Sequence, residues 1–559
     1  MTNKIPRSTS ALLSAPGLFL FLICTAHLIV TFIWLTLDSF PLVWDAGDYY
    51  TRSLMFFDIQ KNAGWISALH GLLSTENYHP PGLWIATAPL YSIFWASENV
   101  AVFGVSGLFF CVLICSTYFC AKKMSGVRVG CVAAALISLF PTAFGMSRTF
   151  LLDLPACACV TATIAVLLRT RGFESRWGCF AAGCVFGIGL WLKESSVFFI
   201  AGPALVIFVS ALLHSSRRGQ IFLGAGLFVG TACLIAAPAY LPNFSERVQG
   251  FTLNALQGGV ENDPTGLTRE SLLFYYVALE RMLGPVFFYA FCVAAVASIL
   301  TRNVLPLVWI ALPYLIFSGI DNKCARYMFG ALPAVALIIA QSIDILRSKS
   351  KLLANATTAI LLSFGVLQFA FSSFREGPID GGHLFFSPGQ LSVEAPYTTR
   401  HLSNLFYVQE IADGARRPIP ELWNMQALVD ALELEQARNL TYGLNVFNLS
   451  DYPLLSAPLI SAAYQRGMRL NLTSAAWTSP EQIRTAHVII RKIGGYEIDS
   501  WRMDKAVRAH AEFEKLAPQF KVSSTFSFPD GSNIEFLTRR ALPAPGLNSD
   551  QEVAGDSNT

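Results

Sequence analysis

Apolar runs of membrane-spanning length recur along the first two thirds of the chain, and they leave few folds open. They fall near 16–37, 100–120, 128–147, 153–169, 178–193, 196–213, 220–240, 284–301, 304–319, 327–345 and 352–373. A spanning helix takes roughly 17–25 residues, so several of these runs stand at the short limit. Composition agrees with a lipid-facing surface. Of 559 residues, 53% are hydrophobic and only 14% charged, with mean hydropathy +0.48, whereas globular domains carry about 25% charged residues. A soluble fold of this length cannot hide so much apolar surface. The formal net charge of +3 gives no case for a nucleic-acid partner.

The connecting loops sort by charge. Lys122/Lys123/Arg128, Arg169/Arg171/Arg176, Arg217/Arg218, Arg302 and Arg347/Lys349/Lys351 form short basic loops, cytoplasmic by the positive-inside rule. The alternate loops, 38–99, 148–152, Lys193-Glu194, 241–283 and 320–326, then face outward. The alternation is consistent only if 83–120 crosses an odd number of times. The apolar segment 83–97, opened by Pro80-Pro81-Gly82, is therefore read as an interfacial helix entered from a loop. That gives about eleven crossings, with the N-terminus inside and the C-terminus outside. The apolar stretch after Lys4 and Arg7 is longer than a signal-peptide core of roughly 7–15 residues and is expected to be a retained first helix.

After Phe374, charged and turn residues return. Leu440–Leu449 reads as a strand, Tyr452–Arg466 as a helix, Met468–Leu472 as a strand, and Ala486–Arg491 as a buried strand. Pro529-Asp530-Gly531-Ser532, within Phe526–Leu537, is a turn between two strands. The expected architecture is an all-α membrane bundle over 1–375, a soluble extracytoplasmic α/β domain over 376–541, and a disordered tail over 542–559. All twelve Cys lie at or before Cys324, mostly inside apolar runs, where they act as small hydrophobes. The C-terminal domain has none, and no Cys/His spacing suits zinc.

Ionisable residues near a membrane core are functional candidates, and the outward face gathers several. Trp44-Asp45-Ala46-Gly47-Asp48-Tyr49-Tyr50 sets two carboxylates among aromatic rings, either a general base or a solvated aromatic belt. Tyr78-His79-Pro80-Pro81-Gly82 fixes His79 on a stiff backbone, though it also serves simply to start a helix. Arg148 and Asp153 flank a turn, as an ion pair or as site groups. Lys193-Glu194 and Arg326-Tyr327 stand at span ends, where the alternative to anion binding is a snorkelling cation.

Taken in order, these motifs resemble the lipid-linked-sugar-dependent membrane glycosyltransferases, the protein O-mannosyltransferase and aminoarabinose transferase relatives of the multi-spanning C-type superfamily. The family's Asp-Glu-x-x-Tyr element is matched by Asp45 to Tyr49. Its Lys/His-Pro-Pro element is matched by His79-Pro80-Pro81, and its Arg…Asp pair by Arg148 and Asp153. Gly189-Leu190 with Lys193-Glu194 follows the Gly-Leu-x-x-x-x-Lys-Glu element loosely, Arg326-Tyr327 matches a late Arg-Tyr, and Pro529–Ser532 the closing hairpin. One departure is Ala46, where the family has Glu; Asp48 is the residue placed to replace it.

The resemblance implies a polyprenyl-phosphate sugar donor and transfer to an acceptor hydroxyl on a glycolipid, glycan or protein. Asp45 would be the general base of an inverting attack. Lys193 and Arg326 would bind the donor phosphate, and Asp48, Tyr49, His79, Arg148 and Asp153 would position substrate. No cofactor is required by this reading. Asp45, Asp48 and Asp153 are the carboxylates that a divalent cation would use, and the sequence leaves its presence open. Two other classes compete: a transporter or flippase of lipid-linked sugars, and a membrane-anchored binding protein. Transporters favour paired repeats and midplane sites, and no repeat is evident. Five sequons, at Asn243, Asn355, Asn439, Asn448 and Asn471, do not assign a compartment, since Asn355 falls inside an expected span. The expected location is a bacterial inner membrane, with the endoplasmic reticulum second.

Overall fold

The structure, a computed structural model, describes residues 15–74, 79–242, 244–257, 264–374, 414–439, 443–450, 453–475, 480–494 and 503–540. Tyr78 and the expected tail 542–559 lie outside the described residues. Two compact units are present, one ending at Trp423 and one beginning at Asn424. Residues 414–423 thus belong with the helices, although the composition changes earlier, at about residue 375.

The first unit is helical. Among the described residues six helices are long and apolar enough to cross a membrane: Ala15–Leu37 (α1), Glu98–Ser125, Ser196–His214, Arg218–Tyr240, Ala325–Lys349 and Lys351–Phe374. Shorter apolar helices join them, including Gly82–Ile93, Val127–Leu139, Asp153–Leu167, Arg176–Leu192, Pro285–Leu300 and Val304–Gly319. All eleven apolar runs read from the sequence therefore fall on helices, in a multi-pass membrane protein. The run 128–147 is broken, however. Phe140 adopts an extended conformation (φ −66°, ψ 127°) ahead of Pro141, which starts a separate turn Pro141–Met146, because a residue before proline is pushed out of the helical region.

Burial separates core from rim. The apolar window of Ala325–Lys349 is 72% buried, against 22% for Lys351–Phe374, so the former runs through the bundle and the latter presents Leu352, Ile360 and Val366 to lipid. Asp153–Leu167 is buried almost all round, as a helix apolar on every face must be. Its Ala156, Ala158 and Ala165 and the Ala334, Ala336 and Ala340 of the central helix are the small residues that let membrane helices approach closely.

The expected outer loops contain helices of their own. Residues 38–99 hold Trp44–Ser74 (α2), kinked where Gly64 takes φ 82°, and Gly82–Ile93 (α3). Twelve residues make α3 about 18 Å long, short of a hydrocarbon core of about 30 Å. The expected loop 241–283 holds Phe244–Gln257 and Arg269–Leu283.

The second unit is a five-stranded mixed sheet in the order β2-β1-β3-β5-β4, with strands β1 Leu444–Asn448, β2 Leu470–Ser474, β3 Val488–Ile493, β4 Phe520–Ser527 and β5 Asn533–Arg539. Strands β1, β2 and β3 are parallel neighbours, while β5 pairs antiparallel with β3 and β4. Phe447, Ile489 and Leu537 from the sheet pack with Ala509 and Phe513 of the helix Met503–Leu516. The β4–β5 turn is the Pro-Asp-Gly-Ser element: Gly531 N donates to Phe528 O (3.0 Å), and Ser532 N and Oγ donate to Asp530 Oδ1. The expected helix Tyr452–Arg466 is shorter in the structure, running Ala457–Gln465 after a 3₁₀ turn at Pro453–Leu455.

Candidate functional site

Asp45 lies in the first turn of α2, at the positive end of the helix dipole, which favours an ionised carboxylate. Arg326 reaches it from a 3₁₀ turn, Ala325–Ala331, and the two side chains form an ion pair. The 3₁₀ turn is held in place by Lys323, whose buried ammonium donates to Ser318 O (2.9 Å), Phe317 O (3.3 Å) and Ile320 O. These are carbonyls at the end of Val304–Gly319, and a cation satisfies what a helix C-terminus leaves open.

Lys193 leaves Arg176–Leu192 in an extended conformation. It donates to Asp153 Oδ1 at 2.7 Å, with the two side chains only 12% and 5% exposed, and its ammonium lies 5.2 Å from the Tyr327 ring centre. Tyr49, one helical turn after Asp45, meets His79: Oη and Nε2 are 3.1 Å apart and the rings stand edge to face. Gly82 explains how α3 approaches so closely. A Cβ there would lie 2.5 Å from Trp191 O, so only glycine lets the start of α3 press on the backbone two residues before Lys193. A small cleft is lined by Asp153, Lys193, Arg326 and Tyr327, with apolar groups such as Phe199 and Phe329 beside them.

The electrostatics bind these residues into one site. Burial raises the Asp45 carboxyl, but the charge and hydrogen bond of Arg326, with the Lys193 charge behind them, outweigh it and hold the group below its usual value. His79 is pulled down to about 3, chiefly by burial, with Asp45 opposing and Lys193 and Arg326 reinforcing the shift. Its ring is neutral at physiological pH. Glu194, beside Lys193, is pushed up by burial against the opposing pull of its own backbone amide, Lys193 and Arg247.

Two of the residues named from the sequence take other partners. Asp48 pairs with Arg52 on its own helix (2.7 Å), and both are substantially exposed, because the i, i+4 spacing puts them on one face. Arg148 does not pair with Asp153, which is taken by Lys193. Its Nη1 donates to Ser373 Oγ (2.9 Å) and Gly414 O (3.1 Å), and its guanidinium lies 5.1–5.3 Å from the Trp34, Phe144 and Phe369 ring centres. The three carboxylates considered for a cation thus each face a separate basic group and do not converge. Among the described residues no group of three His, Cys, Asp or Glu is placed to hold a metal ion.

The sequence did not single out Ser195, Ser196 or Cys157, which line the cleft. The two serines directly follow the Lys193-Glu194 motif and were within reach of that signal. Cys157, four residues after Asp153 on the same helix face, was within reach once that helix was placed at the site.

Residues 78–241 match the family described as dolichyl-phosphate-mannose-protein mannosyltransferase, a stretch that includes His79, Arg148, Asp153 and Lys193. The fold is similar to that of ArnT from Cupriavidus metallidurans bound to undecaprenyl phosphate, with a TM-score of 0.58 at 15% identity over 95% of this chain and 100% of that one. The apo state of the same protein gives a TM-score of 0.57 at 14% identity, over 94% and 98%. Archaeal oligosaccharyltransferase AglB from Archaeoglobus fulgidus, in complex with an inhibitory peptide and a dolichol-phosphate, gives 0.50 at 11% identity over 95% and 75%. No curated protein sequence matches the chain. The resemblance read from the motifs agrees with these matches: residues 78–241 match that mannosyltransferase family, and the fold is similar to that of ArnT.

Proposed function

We propose that the chain transfers a sugar from a polyprenyl phosphate to an acceptor hydroxyl on the extracytoplasmic side of the membrane, inverting the anomeric carbon. Asp45 takes the hydroxyl proton as the oxygen attacks that carbon. The bond from the anomeric carbon to the phosphate oxygen breaks, and its electron pair leaves with the polyprenyl phosphate. Such a leaving group needs no strong acid, only cations that meet its charge, and Lys193 and Arg326 fill that role. Tyr49, neutral His79 and Asp153 position the sugar and these cations. The acceptor is a glycolipid, a glycan or a protein. The positive-inside pattern of the loops supports an extracytoplasmic C-terminal unit, and a bacterial inner membrane is the proposed location.

The observation that carries this reading is the Asp45–Arg326 ion pair in the field of Lys193. It brings a carboxylate and two cations, drawn from distant parts of the chain, to one end of the bundle. General-base assistance is worth about 10²–10⁴ in rate, so Asp45→Asn lowers transfer by that factor while polyprenyl-phosphate binding persists. Transfer by the purified variant at a rate near wild type would overturn the role of Asp45.

A further inference from the structure

Asp45 is reached through a short irregular segment, residues 38–43, and a backbone turn that L-residues avoid: Trp44 has φ 49°. A bulky residue at positive φ persists only where its surroundings over-determine it. Here the surroundings include a strap from far along the chain. Asp38 accepts two hydrogen bonds from the Arg416 guanidinium, Nη1 at 2.7 Å and Nη2 at 2.9 Å, and a third from Ile419 N at 2.7 Å. Ser39 N donates to Ile419 O (2.7 Å), and Trp34 Nε1 donates to Arg416 O (2.8 Å). The Arg416 guanidinium also lies 5.0 Å from the ring centres of both Trp34 and Phe40, and Phe40 meets Trp423 edge to face. From the other direction, Leu42 N donates to Glu98 Oε2 (3.3 Å). The Asp38 and Arg416 side chains are each 7% exposed.

We infer that the strap 414–423 is a positioning clamp for the first turn of α2, and that Asp38 and Arg416 are positioning residues for the transfer that Asp45 assists. The inference rests on that reading of Asp45. Four of the six residues between α1 and α2 are tied down, at 38, 39, 40 and 42, so the direction in which α2 starts is fixed from outside the helix. With the clamp released, Trp44 relaxes out of its left-handed conformation and turns the Asp45 side chain away from Arg326. The two-pronged contact is specific to arginine; lysine keeps the charge but cannot hold Asp38 with a planar fork. Arg148 supports the same strap through Gly414 O, without touching the Asp45–Arg326 pair.

The test uses the full chain in lipid nanodiscs, as wild type, Arg416→Lys and Asp38→Asn. Hydrogen exchange is followed over 38–47 and, as a reference, over 153–167. Turnover is followed as polyprenyl phosphate released from the polyprenyl-phosphate-sugar fraction of the source membranes, with kcat and donor KM resolved. In both variants, exchange over 38–47 rises about tenfold while 153–167 is unchanged. Misplacing a reacting group lowers kcat by about 10²-fold and leaves KM near its wild-type value. Wild-type exchange over 38–47, or a wild-type kcat in either variant, overturns the clamp. If the wild type releases no polyprenyl phosphate, the donor class of the proposed function fails. Exchange then decides the clamp alone, a selective rise supporting it and no rise overturning it.

Discussion

Replacing Lys193 by Met separates the stability of the site from its affinity for phosphate. Lys193 and Asp153 meet at 2.7 Å with side chains 12% and 5% exposed. Removing the cation strands a buried carboxylate, and breaking such a pair from one end costs about 3–5 kcal/mol. Replacing both members removes most of that cost, since an apolar or neutral pair of similar volume is close to neutral. A charge-assisted contact to the donor phosphate is worth about 1.5–3 kcal/mol, which is roughly ten- to hundredfold in affinity. Lys193→Met should therefore both melt earlier and bind polyprenyl phosphate more weakly. The double variant with Asp153→Asn should recover the melting temperature and keep the weak binding. Thermal melting followed by size-exclusion chromatography and calorimetric titration with polyprenyl phosphate read the two quantities separately. Recovery of both in the double variant would show that Lys193 acts on the phosphate only through folding, and a single variant that melts like wild type would refute the argument from burial.

Other expectations follow from single positions. Gly82→Ala pushes a Cβ to within 2.5 Å of Trp191 O, and overpacking against backbone costs about 1–3 kcal/mol; lower melting temperature and reduced transfer are expected, and unchanged values for both would contradict the close approach. His79 has a folded pKa of about 3, below an ordinary value of about 6.5. Between those values the unfolded chain binds a proton that the folded chain does not, so acidification through this window drains stability. His79→Gln removes that contribution, and melting temperatures of wild type and variant measured from pH 7 to pH 4 should diverge in slope.

The helices were legible because lipid imposes a length and an apolar face that no soluble element imitates, and alternate runs were separated by short basic loops. The break at Phe140 was readable from Pro141, yet the apolar run carried across it. What the apolar pattern hid was structure in polar segments. Met425–Asn439 and Met503–Leu516 are helices with charged surfaces, and α2 is thirty-one residues long with many polar positions. The site was legible motif by motif, but not in its pairings. Arg148 and Asp153 are five residues apart, and proximity in sequence suggested an ion pair. The helix Asp153–Leu167 starts at Asp153 itself, which meets Lys193, forty residues on. Asp38 and Arg416 carried no motif, and contacts 378 residues apart have no signature in a single sequence.

Those long-range pairings give the site its chemical sense. Within the proposed transfer, Arg326 is shared between two anions, the Asp45 carboxylate in the ligand-free site and the donor phosphate when it arrives. While Arg326 pairs with Asp45, the carboxylate is held below its usual pKa and is a weak base. A phosphate that draws the guanidinium away lowers the positive potential at Asp45 and restores its basicity where the acceptor hydroxyl must lose a proton. Lys193 cannot take that part, because its ammonium already answers Asp153. It can nonetheless lend donors to the phosphate, since an ammonium has three and Asp153 takes one. In that reading two cations divide the work: Lys193 would provide a fixed seat for the phosphate, and Arg326 would link the arrival of donor to the activation of the base. On the proposed role of Asp45, a carboxylate strengthened only when the donor is bound would account for its cationic neighbour, an arrangement that a permanently active base would not need.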